Sequence, residues 1–322
     1  MKCVQLFGTN LVTSTLGFGT VGGRLEDVER LRNYEHAFAL GVTHFDTARV
    51  YGLGYAERLL GRFLAGKRHS VTLTTKVGIL PPRHGLAIGA MKAASRFVGR
   101  VLPNVAMSAK RNVAAKLVST RRFSVADATA SLEASLRELN TDYIDVLLLH
   151  ECTPEDVQPE LLEFLEKSVR AGRVRFTGVA TSAAGTAEIL SAKQEFPKLV
   201  QIGNSLTRPV LAELDLSQRA VITHSIMGES LLQLQTFFAA RPALRSQWSQ
   251  SLQLDLADSN TLAALHLRYA LTVNPHGVTL YYSSDPSRIA AAVSEVNAPS
   301  VCDEQLSGFV ALVNGSHDEV HS

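Results

Sequence analysis

The chain has 322 residues, 46% of them hydrophobic and 19% charged, where soluble domains average about 25% charged. That balance argues for a large interior and against disorder, and a net charge of +2 is too small for a nucleic-acid-binding surface. No apolar run approaches the roughly 18 residues of a membrane-spanning helix, and Cys3, Cys152 and Cys302 are too few and too scattered for a disulfide framework or a CxxC zinc site. The N-terminus begins neither a signal nor a transit peptide. The expectation is a cytoplasmic, enzyme-sized protein without a metal or a transmembrane segment.

In chain order, short apolar runs alternate with amphipathic segments. Strands are predicted at Thr15–Thr20, Val42–Asp46, Val71–Lys76, Ile144–Leu149, Val174–Ala180, Leu199–Ile202, Ala220–Thr223 and Val278–Tyr282. Helices are predicted at Val28–Leu40 with Asp27 as its cap, Tyr55–Leu64, Ser124–Leu139 with a capped first turn, Glu160–Ala171, Ala184–Glu195, Ser259–Leu271 and Pro286–Val296. Parallel strands need a crossover of a dozen or more residues, so eight such units predict one (β/α)8 barrel domain over 1–322. The stretch Asn10–Thr13 reads as a decoration on it, and so does a basic insertion over 80–122. Between Val77 and Ala126 there is no acid. The cations there are Arg83, Lys92, Arg96, Arg100, Lys110, Arg111, Lys116, Arg121 and Arg122. Such a block is either a solvated loop or an anion-attracting flap at the active-site face.

The segment Gly17-Phe18-Gly19-Thr20-Val21-Gly22 satisfies G-x-G-x-x-G, with Asp46 ending the next strand, as in a dinucleotide-binding Rossmann unit. Two features oppose that reading. The preceding run, Leu11-Val12-Thr13-Ser14-Thr15-Leu16, is too polar for a strand buried on both faces. The helix pattern also starts near Asp27, well after the glycines, whereas a Rossmann helix begins inside them to meet the pyrophosphate.

Barrel enzymes carry their chemistry at the C-terminal ends of the strands. Those ends present Asp46, Lys76 and His150 on three successive strands, with Tyr51 one short loop beyond Asp46. Each residue alone has a structural explanation; their joint placement is what marks a site.

These residues resemble the aldo-keto reductases. The likeness is carried by Leu16-Gly17-Phe18-Gly19-Thr20, Phe45-Asp46-Thr47-Ala48 with Tyr51-Gly52, Glu57-Arg58-Leu59-Leu60-Gly61, Thr75-Lys76-Val77-Gly78, Leu147-Leu148-Leu149-His150 and Gly178-Val179. The insert after Lys76 followed by Ser131–Leu139 is similar to the branch with sugar (aldose) dehydrogenases. The resemblance implies an NAD(P)-dependent oxidoreductase interconverting an aldehyde, ketone or sugar and its alcohol. It implies a tetrad in which Tyr51 is the general acid, Lys76 lowers its pKa, Asp46 holds Lys76 and His150 orients the carbonyl oxygen.

The resemblance further assigns the dinucleotide to Thr20, Asp46 and Gln201, to His224, Ser225, Met227 and Gly228, and to Ser283, Ser284 and Arg288. The chain departs from the family where Ala180-Thr181 stand for Ser-Asn, His224 for a stacking Tyr, Tyr282 for a Lys and Ala292 for an Asn. Arg288 favours NADP, with NAD as the alternative. Two other readings stand beside this one: a catalytically weak barrel that binds or senses a dinucleotide, and a Schiff-base lyase using Lys76. The region Gly228–Gln250, with Phe237, Phe238 and Trp248, reads as a loop shaping the pocket. Neither the individual substrate nor the oligomeric state is legible.

Overall fold

A computed structural model describes residues 1–21, 27–81, 121–193 and 195–316. All eight predicted strands are present: β3 (Leu16–Gly19), β4 (His44–Asp46), β5 (Thr72–Val77), β6 (Ile144–His150), β7 (Val174–Ala180), β8 (Leu199–Gly203), β9 (Ala220–His224) and β10 (Val278–Tyr281). They pair in parallel in chain order, and β10 closes onto β3. The result is a single-domain (β/α)8 barrel. The predicted basic insertion falls almost wholly on residues 82–120, outside the described residues. Ile79, just before the insertion, and Arg121, near its end, pair through an antiparallel bridge.

Side chains alternate across a strand, so residues two apart share a face. Leu148 and His150, Leu199 and Gln201, and Ile222 and His224 are three such pairs. The second member of each lines a cavity at the C-terminal end, while the first lies in an apolar cluster below it. The other end is stoppered by an antiparallel hairpin of β1 (Cys3–Gln5) and β2 (Val12–Ser14). Its Val4, Leu6 and Leu11 share that buried cluster with Val146, Leu148, Leu199, Ile222 and Val278. The stretch read as a decoration is therefore part of the core.

Ten described helices cover the outside: α1 (Asp27–Ala39), α2 (Ala56–Leu64), α3 (Val125–Leu139), α4 (Pro159–Arg170), α5 (Ala183–Ala192), α6 (Glu229–Ala240), α7 (Pro242–Leu252), α8 (Ser259–Val273), α9 (Pro286–Asn297) and α10 (Asp303–Gly315). Their starts follow local chemistry. Ser124, Asp258 and Asp285 accept from backbone N–H groups of the first turns of α3, α8 and α9, which satisfies donors the helix cannot pair itself. The helix α1 starts one residue earlier than predicted, so Asp27 is its first helical residue rather than its cap. The crossing of α2 and α3 is close: a Cβ on Gly61 would stand 2.3 Å from the Glu138 carbonyl oxygen.

As expected, the G-x-G-x-x-G segment opens no Rossmann unit, because Gly17 and Gly19 belong to the barrel strand β3. Gly17 lies inside the barrel, where a Cβ would meet Leu280, Val278 and His44 within 3.0 Å. One expectation is corrected: the region Gly228–Gln250 forms α6 and most of α7 rather than a pocket loop. Phe237, Phe238 and Trp248 pack with Phe309 of α10 in a second core, Trp248 standing 5.4 Å from Phe238 ring to ring. Trp248 is 4% exposed and takes no part in the cavity. Among the described residues, no helix is long and apolar enough to cross a membrane.

Candidate active site

A cavity of about 590 Å³ opens at the C-terminal ends of the strands, and Asp46, Tyr51, Lys76 and His150 line it together. Asp46 and His150 are the last residues of β4 and β6, and Lys76 is the last but one of β5. Tyr51 opens a 3₁₀ turn, Tyr51–Gly54, and its N–H bonds the Ala48 carbonyl at 3.0 Å. A buried carboxylate fixes this loop to its neighbour. Glu57 of α2 takes the Arg49 guanidinium on one oxygen and the Thr75 hydroxyl on the other at 2.7 Å. One side chain thus ties the segment leading to Tyr51 to the residue preceding Lys76. Arg49 was not among the predicted site residues.

Lys76 Nζ donates to Asp46 Oδ1 at 2.7 Å, to Asp46 Oδ2 at 2.8 Å and to the Thr47 carbonyl at 2.9 Å, which fixes the ammonium beside Tyr51. Burial pulls the amine toward neutrality, but Asp46 and Tyr51 more than offset it and hold Lys76 charged, above the ordinary lysine value. Nζ lies 4.9 Å from the Tyr51 ring centroid, and the His150 ring meets Tyr51 edge-on at 6.0 Å. Burial raises the Tyr51 phenol above its usual value; Lys76 pulls it back without cancelling the rise. The expected lowering by Lys76 is therefore present as a force and outweighed by desolvation. His150 is brought down to about 3 by burial, with Lys76 and His224 adding to it. His224 is brought down to about 4 by burial and Lys76. Both imidazoles are neutral near pH 7.

Of the residues the resemblance assigns to a dinucleotide, Asp46, Gln201, His224, Ser225, Met227, Gly228, Ser283 and Arg288 line the cavity. Thr20 and Ser284 lie beyond it. Thr20 is 1% exposed, its N–H held by the Asp46 carbonyl at 2.9 Å. The Ser284 carbonyl accepts from Asn33 Nδ2 at 3.1 Å, which ties this turn to α1. Gln201 Nε2 donates to Asp46 Oδ2 at 3.1 Å, while its Oε1 is buried without a partner among the described residues. Gly228 (φ +54°) caps the start of α6, so the first-turn N–H groups of that helix border the cavity. Thr181, one of the departures from the family pattern, pairs instead with Thr186 at 2.8 Å and does not line the cavity. Glu151 was missed by the sequence reading and also lines it; the only signal was an acid directly after a strand-end His. Among the described residues, no three His, Cys, Asp or Glu side chains are grouped to hold a metal ion.

The family model "Aldo/keto reductase family" matches residues 11–312. The chain belongs to the aldo/keto reductase family. Relatives of this aldo/keto reductase include "Aldo-keto reductase AFTS1" of Alternaria alternata, 29% identical over 56% of this chain and 48% of that protein. Another is "6-dehydroglucose reductase" of Agrobacterium fabrum, 28% identical over 45% of this chain and 41% of that protein. The matches span less than half the length of either relative. Among solved structures, aldo-keto reductase AKR11C1 from Bacillus halodurans (holo form) superimposes with a TM-score of 0.71 at 22% identity, over 97% of this chain and 96% of that one, a likeness of fold. The Alternaria and Agrobacterium relatives are both named as reductases.

Proposed function

We propose that this aldo/keto reductase interconverts a carbonyl compound and its alcohol with NADP(H), NAD(H) being the alternative, through Tyr51 as general acid and base. The observation that carries this reading is the convergence of Tyr51 with the Asp46-bound Lys76 ammonium and the His150 ring at one end of a single cavity.

The residues fit a dinucleotide. The orphaned Oε1 of Gln201 suits the N–H of a carboxamide, and a helix N-terminus beside Gly228 suits a phosphate. Arg288 at the cavity rim, its side chain 75% exposed, suits a further phosphate. Asp46, Gln201, His224, Ser225, Met227, Gly228, Ser283 and Arg288 would hold the group, which when bound supplies or accepts a hydride.

The chain's own residues do the rest. As the carbonyl carbon gains hydride, its oxygen gains negative charge. The Tyr51 hydroxyl donates the proton that completes the alcohol, and the Lys76 cation stabilises the phenolate left behind. A neutral His150 donates an N–H bond to the same oxygen and orients it. Asp46 and Thr47 keep Lys76 fixed, so its charge needs no rearrangement during the step.

The test is a panel of aldehydes, ketones and sugars with each dinucleotide, followed by absorbance, with fluorescence titration of binding. Tyr51→Phe is expected to cut turnover about 100-fold to 10,000-fold while dinucleotide binding stays near wild type. Retention of most activity would remove Tyr51 from the acid role. Binding of dinucleotide with no turnover of any carbonyl would favour the binding-subunit reading.

A further inference from the structure

The reacting end of the cavity holds an acid that the chemistry above leaves unused. Glu151 follows His150 and lines the same cavity. Its backbone is left-handed, with φ +55°, and its N–H bonds the Ala180 carbonyl at 2.8 Å, which pins the turn to β7. Ser225, after His224, is left-handed as well, with φ +57°. Positive φ is uncommon outside glycine, and such strain gathers at functional sites. Here it follows both cavity histidines directly.

The Glu151 carboxylate takes no hydrogen bond or ion pair among the described residues. The cation it feels is Arg121, and Arg121 is itself bound to Asp156. Asp156 in turn accepts from Thr153 N at 2.8 Å and Thr153 Oγ1 at 3.0 Å, so the loop after β6 holds Arg121 on Asp156. Glu151 is exposed at the cavity wall, yet partial desolvation of its carboxyl raises it, Arg121 opposing, and its charge reaches Tyr51, where it raises the phenol. Among the described residues around the tetrad, Lys76 and Asp46 cancel and the two histidines are neutral, so Glu151 is the uncompensated charge of that group.

We propose that Glu151 is a specificity-determining residue: it favours carbonyl substrates bearing a hydrogen-bond donor, hydroxyl or ammonium, near the carbonyl and turns away those bearing a carboxylate there. The inference rests on the cavity being a carbonyl-reducing site. A carboxylate only accepts hydrogen bonds. With no partner among the described residues it gains from a donor brought by the substrate, and it repels a like charge held close beside it.

The test compares the wild type with Glu151→Gln and Glu151→Ala on matched aldehydes. Glyceraldehyde and aminoacetaldehyde carry a hydroxyl and an ammonium respectively, with propanal as the plain reference. Succinic semialdehyde carries a carboxylate, with butanal as its reference. In the wild type, kcat/KM for one of the donor-bearing aldehydes should exceed that for propanal by about tenfold or more; which one does so identifies the donor. Glu151→Ala should bring that ratio near one. Glu151→Gln should keep part of a hydroxyl preference through its amide oxygen. It should also raise succinic semialdehyde relative to butanal by about tenfold to a hundredfold.

Ratios within twofold of wild type in active variants overturn the proposal, as does a wild-type preference for succinic semialdehyde over butanal. If the wild type reduces no carbonyl with either dinucleotide, the underlying reading fails and takes the proposal with it. Thermal unfolding checks the fold of each variant. Should Glu151→Ala not fold, the near-isosteric Glu151→Gln decides the matter through the carboxylate ratio.

Discussion

Lys76 lies against the ring of Tyr51, its Nζ 4.9 Å from the centroid, and is held in place by Asp46 and Thr47. It acts on the phenol both as a positioned charge and as a hydrogen-bond partner. Burial raises the phenol, and Lys76 only moderates the rise. Tyr51 thus stays protonated through neutral pH, the form that reduction needs. Reduction should be flat across neutrality and fall only in the alkaline range, above the ordinary phenol value of about 10. Alcohol oxidation needs the phenolate and should rise with pH. Removing the cation by Lys76→Met should lower the rate and push that rise to higher pH. Full pH–rate profiles in both directions check this; a reduction limb below pH 8 would assign the titration to another group.

Arg288 is a cation at the cavity rim, with Asp285 Oδ2 at 3.8 Å from its Nε. Tyr282 stands where a lysine is common in the family, its ring 5.9 Å from Phe18. Arg288→Ala should weaken NADP(H) by about tenfold to a hundredfold, the worth of a charge-assisted contact, and leave NAD(H) nearly untouched. Fluorescence titration of both dinucleotides measures this. Equal weakening of the two would take Arg288 away from the 2′-phosphate.

His44 is fully buried inside the barrel, with Thr74 Oγ1 at 3.2 Å from Nε2. Burial brings it down to about 3, and Lys76 adds to the shift. A lowered folded value means that the unfolded chain binds the proton more readily. The stabilisation is full above about pH 6.5 and is lost as pH falls toward 3. At about 1.4 kcal/mol per unit, His44 accounts for up to about 3 kcal/mol of lost stability between pH 7 and pH 4. Denaturant unfolding at the two pH values should show a smaller difference in His44→Gln than in the wild type.

Gly61 faces a backbone carbonyl where α2 crosses α3, and a methyl there would stand 2.3 Å from Glu138 O. Helix backbone does not yield as a side-chain tip does. Gly61→Ala should therefore cost at least the usual overpacking penalty of about 1–3 kcal/mol, in spite of alanine's better helix propensity. Urea denaturation measures it. An unchanged midpoint would mean that the two helices separate freely.

The strands were legible because a barrel strand is buried on both faces. Runs such as Ile144–His150, buried along nearly their whole length, carry little ambiguity, and their ends delivered Asp46, Lys76 and His150. Helices facing the barrel showed a one-sided apolar pattern. The pair α6 and α7 did not: Phe237 and Phe238 are adjacent and both buried, because this region packs into a second core shared with α10 rather than onto one face. The helix α10 itself was not predicted. Glu151 escaped because its importance comes from a left-handed turn and from Arg121 being engaged elsewhere, and neither leaves a spacing in the sequence. Gly61 was quoted as part of a motif, but its reason, the carbonyl of a residue far along the chain, is visible only in the fold.

The hairpin that stoppers the barrel has a kinetic consequence. With Val4, Leu6 and Leu11 packed beneath the strands, the cavity is closed at its floor. Both reactants must therefore come and go on the side of the strand ends, and a ligand seated deep in the cavity leaves past whatever lies above it. Product-inhibition patterns should then show one reactant bound ahead of the other.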